Sequence, residues 1–495
     1  MEFHALAPLF YFPRWYLNLT TCVNNLHYEK FQDGTVKCIE DEIPFEVPEG
    51  WMWARLNDIY NFIDYRGATP TKITNGIPLV TAKNVKSGYI DSTIDDSISE
   101  EEFKERQQRG ISKKGDILFT TEAPLGNAAL ADMEKFSAGQ RLITFQQYGS
   151  KNELINYVML MFILSDFFQQ QLYVNKTGST VAGIKAAILK TLWIPVPPYN
   201  EQLRISNTLK SAINLIDSIS QNKEILSTSI SNTKYKILDL AIRGKLVLQD
   251  PNDEPASVLL ERIRAEKEEL IKQGKIKRDK KESVIFKGDD NSYYEKIDGE
   301  VFCIDEEIPY DIPDTWTWMR LKNCCVKEIR RGKSPKYTEN STVLVFAQKC
   351  NTKYNGIDVS LAQYLDEATL KRYPSDEYMQ DGDVVINSTG TGTLGRVGIY
   401  KNTDNTTGLS IVPDSHVTVI RSFSCISSHY LYAFMKAHQS QLEKKGEGST
   451  NQKELKPLTL KEMLIAVPPL SEQEHIENAI GTAFSHLAVI EENLN

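Results

Sequence analysis

HYEKFQDGTVKCIEDEIPFEVPEGWMWARL, residues 27–56, returns as YYEKIDGEVFCIDEEIPYDIPDTWTWMRL, residues 293–321. Trp51 maps onto Trp316, Trp53 onto Trp318 and Cys38 onto Cys303, each 265 positions on. Further along, VPPYNEQ (196–202) returns as VPPLSEQ (467–473), now 271 positions apart. Two segments of like length with alike edges and unlike interiors are the mark of a tandem duplication. Agreement at the edges and divergence inside predict one scaffold presenting two different surfaces.

After the prolines at 197 and 198 the apolar period changes. Ile205, Leu209, Ala212, Ile216, Ile219, Leu226, Ile230, Ile237 and Leu240 follow alternating steps of four and three, a seam that only Lys223 and Thr233 break. That is the a/d seam of a coiled coil, held over about five heptads and roughly 60 Å of helix. Asn200 reads as its N-cap and Gly244 as its stop. The first five seam positions recur 271 residues on, at Ile476, Ile480, Ala483, Leu487 and Ile490, and Leu494 continues them. Ser471 and Glu474 have the spacing of a capping box at the start of this second helix. One apolar stripe is ordinary core. Two in matched register predict helix pairing, through Ile205, Leu209, Ile216, Ile219, Leu226, Ile230, Ile476, Ile480, Leu487 and Ile490. The second helix holds about three heptads, so an antiparallel partner of that length would leave about two heptads of the first seam unpaired.

A chain of 495 residues is long enough for two to four domains. No run of eighteen apolar residues occurs, which argues against a helical membrane span. The opening MEFHALAPLFYFPRWYLNLT is apolar, but Pro8, Pro13 and Arg14 interrupt it, and it lacks the features of a signal peptide. It reads as an N-terminal extension. The seven cysteines form no C-x-x-C pair, which fits a reduced, cytoplasmic protein. Cys38 and Cys303 read as matched packing positions. A net charge of −9 weighs against nucleic acid as a bulk partner, although a local basic face can sit on an acidic protein.

The sequence carries no complete catalytic signature. GTGTLG (390–395) has the glycine spacing of a dinucleotide fingerprint, which requires a following helix. RVGIY follows instead and reads as a strand, so the glycines predict a β-turn. VPPY (196–199) lacks the amide or carboxylate that precedes the prolines in amino-methyltransferases, since a valine side chain accepts no hydrogen bond. No phosphate-binding loop ending in Lys-Ser/Thr and no histidine–carboxylate cluster with metal spacing is visible. Between the copies lie residues 254–281, whose first part predicts a helix with Val258, Leu259, Ile263 and Leu270 on one side. It leads into the basic run KIKRDKK, read as a solvated linker, with a backbone-phosphate contact as the alternative.

The two variable domains, each closed by a VPP-x-x-EQ turn into a long helix, resemble the specificity subunit of a Type I restriction–modification enzyme. The central stretch LDLAIRGKLVLQDPNDEPASVLLERIRAEKEELIKQGKIKRDKK (238–281) is similar to that family's central conserved region. EIPFEVPEGWMWARL and EIPYDIPDTWTWMRL are similar to the segments that open its recognition domains. The resemblance implies a mixed α/β fold with two pseudo-symmetric target-recognition domains, separated by long, antiparallel, coiled-coil-like helices. On this chain the parts would be an extension at 1–24, a first recognition domain at 25–200 and a central helical region and linker at 201–290. A second recognition domain would follow at 291–470 and a short distal helix at 471–495. Each domain would read one half of a bipartite, asymmetric DNA site. Methyltransferase (modification) subunits would bring S-adenosylmethionine, and motor–nuclease (restriction) subunits would add ATP- and Mg-dependent cleavage. This chain would be non-catalytic and hold no cofactor or metal itself. The alternative is a truncated or recombined scaffold that binds the methyltransferase subunits through its helices without reading DNA.

Within each copy, strand-like runs alternate with turns, giving β-rich recognition domains. Base reading calls for Arg, Lys, Asn or Gln on exposed loops, because these side chains pair with guanine or adenine edges. The candidates in copy one are Arg66, Lys83, Asn84, Lys86, Gln140 and Arg141. In copy two they are Arg330, Arg331, Lys333, Lys336, Lys349, Asn351, Lys353 and Arg396. Lys83 and Lys349 stand in similar places, as do Asn84 and Asn351.

Overall fold

The computed structural model describes residues 19–21, 26–31, 33–66, 69–148, 154–178, 182–278, 282–353, 356–390, 392–447 and 453–494. The extension read at 1–24 lies outside these, apart from the short strand Leu19–Thr21. The chain forms two compact units, residues 1–219 and 220–495.

In unit 1 the repeated edge folds as a hairpin, His27–Lys30 against Val36–Cys38. The later strands are β1 (Met52–Arg55), β2 (Tyr60–Asp64), β3 (Ile77–Val80), β4 (Ser97–Ile98), β5 (Ile117–Thr121), β6 (Leu125–Leu130), β7 (Ser137–Ala138), β8 (Leu142–Gln147) and β9 (Trp193–Val196). They make an antiparallel sheet in the order β2-β8-β5-β6, a sheet β7-β3-β4 in which β3 and β7 run parallel, and the pair β1-β9. The inner strands β5 and β8 are apolar on both faces. Ile117, Phe119, Ile143 and Phe145 enter one core with helix α1 (Asn156–Leu164), while Leu118 and Leu142 enter another. A strand covered on both sides needs that unbroken run rather than alternation.

Unit 2 repeats the plan. Its strands include β10 (Thr317–Arg320), β11 (Arg330–Arg331), β12 (Val343–Phe346), β13 (Val384–Asn387), β14 (Val397–Ile399), β15 (Ser410–Pro413), β16 (Val417–Ile420) and β17 (Leu464–Val467). The order β11-β16-β13-β14 matches β2-β8-β5-β6, the parallel pair β12-β15 matches β3-β7, and β10-β17 matches β1-β9. GTGTLG is the turn between β13 and β14, with Gly390, Gly392 and Gly395 at φ +99°, +78° and +76°. A strand follows it, not a helix.

The long helix, Tyr199–Ile242, spans 44 residues. It ends at Gly244, whose φ is +66° and where a Cβ would lie 2.4 Å from Pro313 Cγ, so the stop is steric as well as conformational. The last helix, Leu470–Glu492, has 23 residues. In unit 2 its start, at Ile476, shares a core with Ala241 and Ile242, whereas Lys234 Nζ lies 2.6 Å from Glu491 near its end. The two stretches therefore run antiparallel. Ile230 and Ile476 are buried, and Ile205, Leu209, Ile480 and Leu487 are half-buried. Ile216, Ile219 and Leu226 are not packed as the seam predicts: they are 61%, 58% and 41% exposed, and Ile490 is exposed as well. The apolar spacing marked a stripe, but no described residue covers its middle.

Three local expectations are corrected. Both helices start at the residue after the second proline, so Asn200 falls inside the first turn. Likewise no side-chain cap forms at the last helix, and Ser471 instead donates to Asp253 at 2.5 Å. Cys38 and Cys303 are exposed on hairpin strands, opposite Tyr28 and Tyr294, and not packed. In the linker, Arg278 forks onto Glu268 at 2.6 and 2.7 Å, and residues 279–281 lie outside the described residues.

Candidate nucleic-acid interface

In each unit four chain segments converge at one end of the four-stranded sheet. In unit 1 these are the end of β2, the β5–β6 turn, the start of β8 and a bridged loop closed by Thr177 and Gly183. Thr121 N and Oγ1 both donate to the Arg141 carbonyl at 3.1 Å, which registers the turn on the start of β8. Ile184 N donates to Thr121 O, and Glu122 bridges to Gly183, so the loop is fastened to the same turn. Arg141 Nε pairs with Glu122 at 3.1 Å. Arg66 forks onto Asp64, with a closest approach of 2.7 Å, and Nη1 reaches Ile184 O at 3.3 Å. Burial works to raise the Asp64 carboxyl, but the Arg66 hydrogen bonds outweigh it and hold it below the usual range.

Unit 2 builds the same place from other side chains. Ser388 N donates to His416 O at 2.8 Å, as Thr121 does to Arg141. Leu455 N donates to Ser388 O, and Thr389 bridges to Glu454 in a loop closed by Glu447 and Glu454. Thr389 Oγ1 and His416 Nδ1 are 2.6 Å apart. Arg331 pairs with Glu454 at 3.0 Å, so the arginine ending the first strand again reaches the loop.

The remaining candidates divide by burial. Asn84 and Asn351 are buried, and their amides are spent inside the fold. Asn84 accepts from Thr81 N and Oγ1 and donates to Thr93 O. Asn351 donates to Arg396 O and to Asn387 Oδ1. Both close turns and present nothing to a ligand, which corrects their reading as surface groups. Arg396 is tied to Asn351 O at 2.8 Å and to Gly392 O. Arg330 donates to Glu377 at 2.6 Å; Glu377 also holds Lys327 at 3.1 Å, and both members of that second pair are buried. Lys333 donates to the Arg372 carbonyl. Gln140 accepts from Thr69 at 2.9 Å, and Lys86 is half-buried. Lys83 makes a loose exposed pair with Asp95 at 3.4 Å. Lys336, Lys349 and Lys353 are exposed.

Sequence reading passed over Glu122, Thr389, His416 and Glu454. A signal was present: Gly-Ser-Thr at 178–180 returns at 448–450, 270 positions on, between the two repeat shifts already noted. Apart from Gly178 these residues lie outside the described ones, but their flanks form the bridged loops above.

A recognition fold built twice, each copy running into a long helix, defines a duplicated α/β specificity scaffold. The family described as Type I restriction modification DNA specificity domain matches residues 48–227 and 313–494, so each match begins at the same proline of the repeat. The chain belongs to this family. It is 26% identical to the Type I restriction enzyme EcoEI specificity subunit of Escherichia coli, over 92% of this chain and 81% of that one. Its fold is similar to that of the HsdS subunit from Thermoanaerobacter tengcongensis, with a TM-score of 0.50, 16% identity and coverage of 91% and 93%. A chain from a structure of the type I R-M system, described as showing complex assembly and conformational transition, aligns with a TM-score of 0.56, 17% identity and coverage of 91% and 94%. Specificity subunits are the non-catalytic component of the multisubunit enzyme. No helix among the described residues is long and apolar enough to cross a membrane.

Proposed function

We propose that this chain directs a Type I restriction–modification complex to DNA, each unit reading one half of a bipartite, asymmetric site. One observation carries the reading: two units whose main four-stranded sheets share one strand order offer unlike exposed side chains at the same place. In this reading Arg66, Gln140 and Arg141 face one half-site, and Arg331, Lys333 and His416 the other. Exposed lysines such as Lys83 and Lys349 supply backbone-phosphate attraction. Methyltransferase subunits contribute S-adenosylmethionine, and motor–nuclease subunits contribute ATP- and Mg-dependent cleavage, in the cytoplasm. The exposed apolar middle of the long helix is surface available to such subunits. The test is methylation-sensitive sequencing of the host genome with and without the gene. A split methylated motif should be present in the first strain and absent from the second. Identical methylomes would refute the proposal.

A further inference from the structure

We propose that the side-chain pair joining the turn to the neighbouring strand is where each unit distinguishes its own half-site, with Arg141 of unit 1 reading a guanine. The pair is Glu122 with Arg141 in unit 1 and Thr389 with His416 in unit 2. The inference rests on the DNA-reading function above and names the residues that carry it.

The equivalence is fixed by backbone. Thr121 N to Arg141 O and Ser388 N to His416 O are the same hydrogen bond in the two sheets. Residues one step inward, Thr121 and Leu142 or Ser388 and Val417, are buried in both units. The outward pair is accessible: Arg141 and Glu122 side chains are 53% and 44% exposed, and His416 is exposed. Stability does not explain the pair, because an ion pair this open to water adds little to folding. Its chemistry suits recognition. Glu122 Oε1 lies 3.1 Å from Arg141 Nε as an ion pair, and no partner for Nη1 or Nη2 is present among the described residues. The guanidinium's own planar fork of donors, with its Nη edge open, matches guanine O6 and N7. His416, with Nδ1 engaged by Thr389, presents a single ring nitrogen and cannot make that fork. The two half-sites therefore differ at this position.

The experiment compares methylated motifs in strains expressing the intact complex with wild-type chain, E122T/R141H, R141K or T389E/H416R. E122T/R141H should relax one guanine in one half-site, lowering discrimination there by about 5- to 150-fold, with the other half and the gap unchanged. R141K keeps the charge but loses the fork, and should relax the same base. T389E/H416R should introduce a guanine preference in the other half. An unchanged motif in E122T/R141H overturns the inference. So does a motif that R141K leaves intact, since a phosphate anchor needs only the charge. If E122T/R141H fails to fold, T389E/H416R decides: an unaltered second half overturns the inference. A wild-type strain with no split motif would sink the function itself.

Discussion

The joints where the two recognition folds run into their long helices agree in two devices and differ in a third. Gln202 accepts from Ile155 N at 2.8 Å and donates to Pro197 O at 2.9 Å; Gln473 accepts from Ser427 N at 2.7 Å and donates to Pro468 O at 3.1 Å. Each glutamine pins the first turn of its helix to the domain it closes. Arg55 joins Glu29, Glu42 and the Thr191 carbonyl, and Arg320 joins Glu295, Glu307 and the Glu462 carbonyl. Among the described residues the third device is found in unit 2 and not in unit 1. Trp316 Nε1 donates to Glu472 at 2.8 Å, and Gln249, from the turn after Gly244, donates to the same carboxylate. Burial pushes the Glu472 carboxyl up, with those hydrogen bonds pulling the other way. In unit 1 the buried Trp51 Nε1 has no partner among the described residues, and Glu201 stays half-buried. The duplicated sequence thus repeats the joint itself, whereas the seal over the tryptophan needs Gln249, a residue outside the repeat.

Three measurements by urea unfolding, followed by circular dichroism, would break or sharpen that comparison. The largest effect belongs to the arginines. Arg320 and Glu295 side chains are 8% and 5% exposed, so Arg320→Ala leaves a buried carboxylate unmatched and should cost about 3–5 kcal/mol. Arg55→Ala should cost less, because Arg55 and Glu29 are 17% and 16% exposed and water reaches them. Burial works to raise the Glu295 carboxyl, but its bonds to Arg320 hold it below the ordinary 4.5. Its contribution is therefore present above about pH 4.5 and lost as the pH falls through the lower folded value, a slope that Arg320→Ala should flatten. Next come the tryptophans. Trp316→Phe and Trp51→Phe both lose indole volume, but only the first deprives a buried carboxylate of a donor. It should cost about 1.5–3 kcal/mol more than the second. Equal costs would mean that the Glu472 bond contributes nothing. The smallest difference is expected between Gln202→Ala and Gln473→Ala. Each leaves two backbone groups unmet, at about 1–3 kcal/mol, and the two values should agree. Disagreement by more than about 1 kcal/mol would show that the joints are not equivalent.

Much of this was legible along the chain. The repeat marked two copies, the prolines located both helix starts, and Gly244 located the stop of the first long helix. Capping was misread because Ser471 and Glu474 have the right spacing, whereas Gln473 does the pinning through a partner 46 residues away in the chain. Asn84 and Asn351 were misread because an asparagine that closes a turn has the same letter as one that reads a base. Glu122 and Arg141 lie 19 residues apart, with nothing local to link them; strand register brings them to 3.1 Å.

By itself the sequence determined the duplication, the family and the long helices, because periodicity, turn residues and repeated edges are local and survive in one dimension. Only the tertiary structure decided which polar side chains are spent within the fold and which stand free, and where the apolar seam goes uncovered. Those outcomes depend on which strands pair and which segments meet, and no short stretch of chain encodes its distant neighbours.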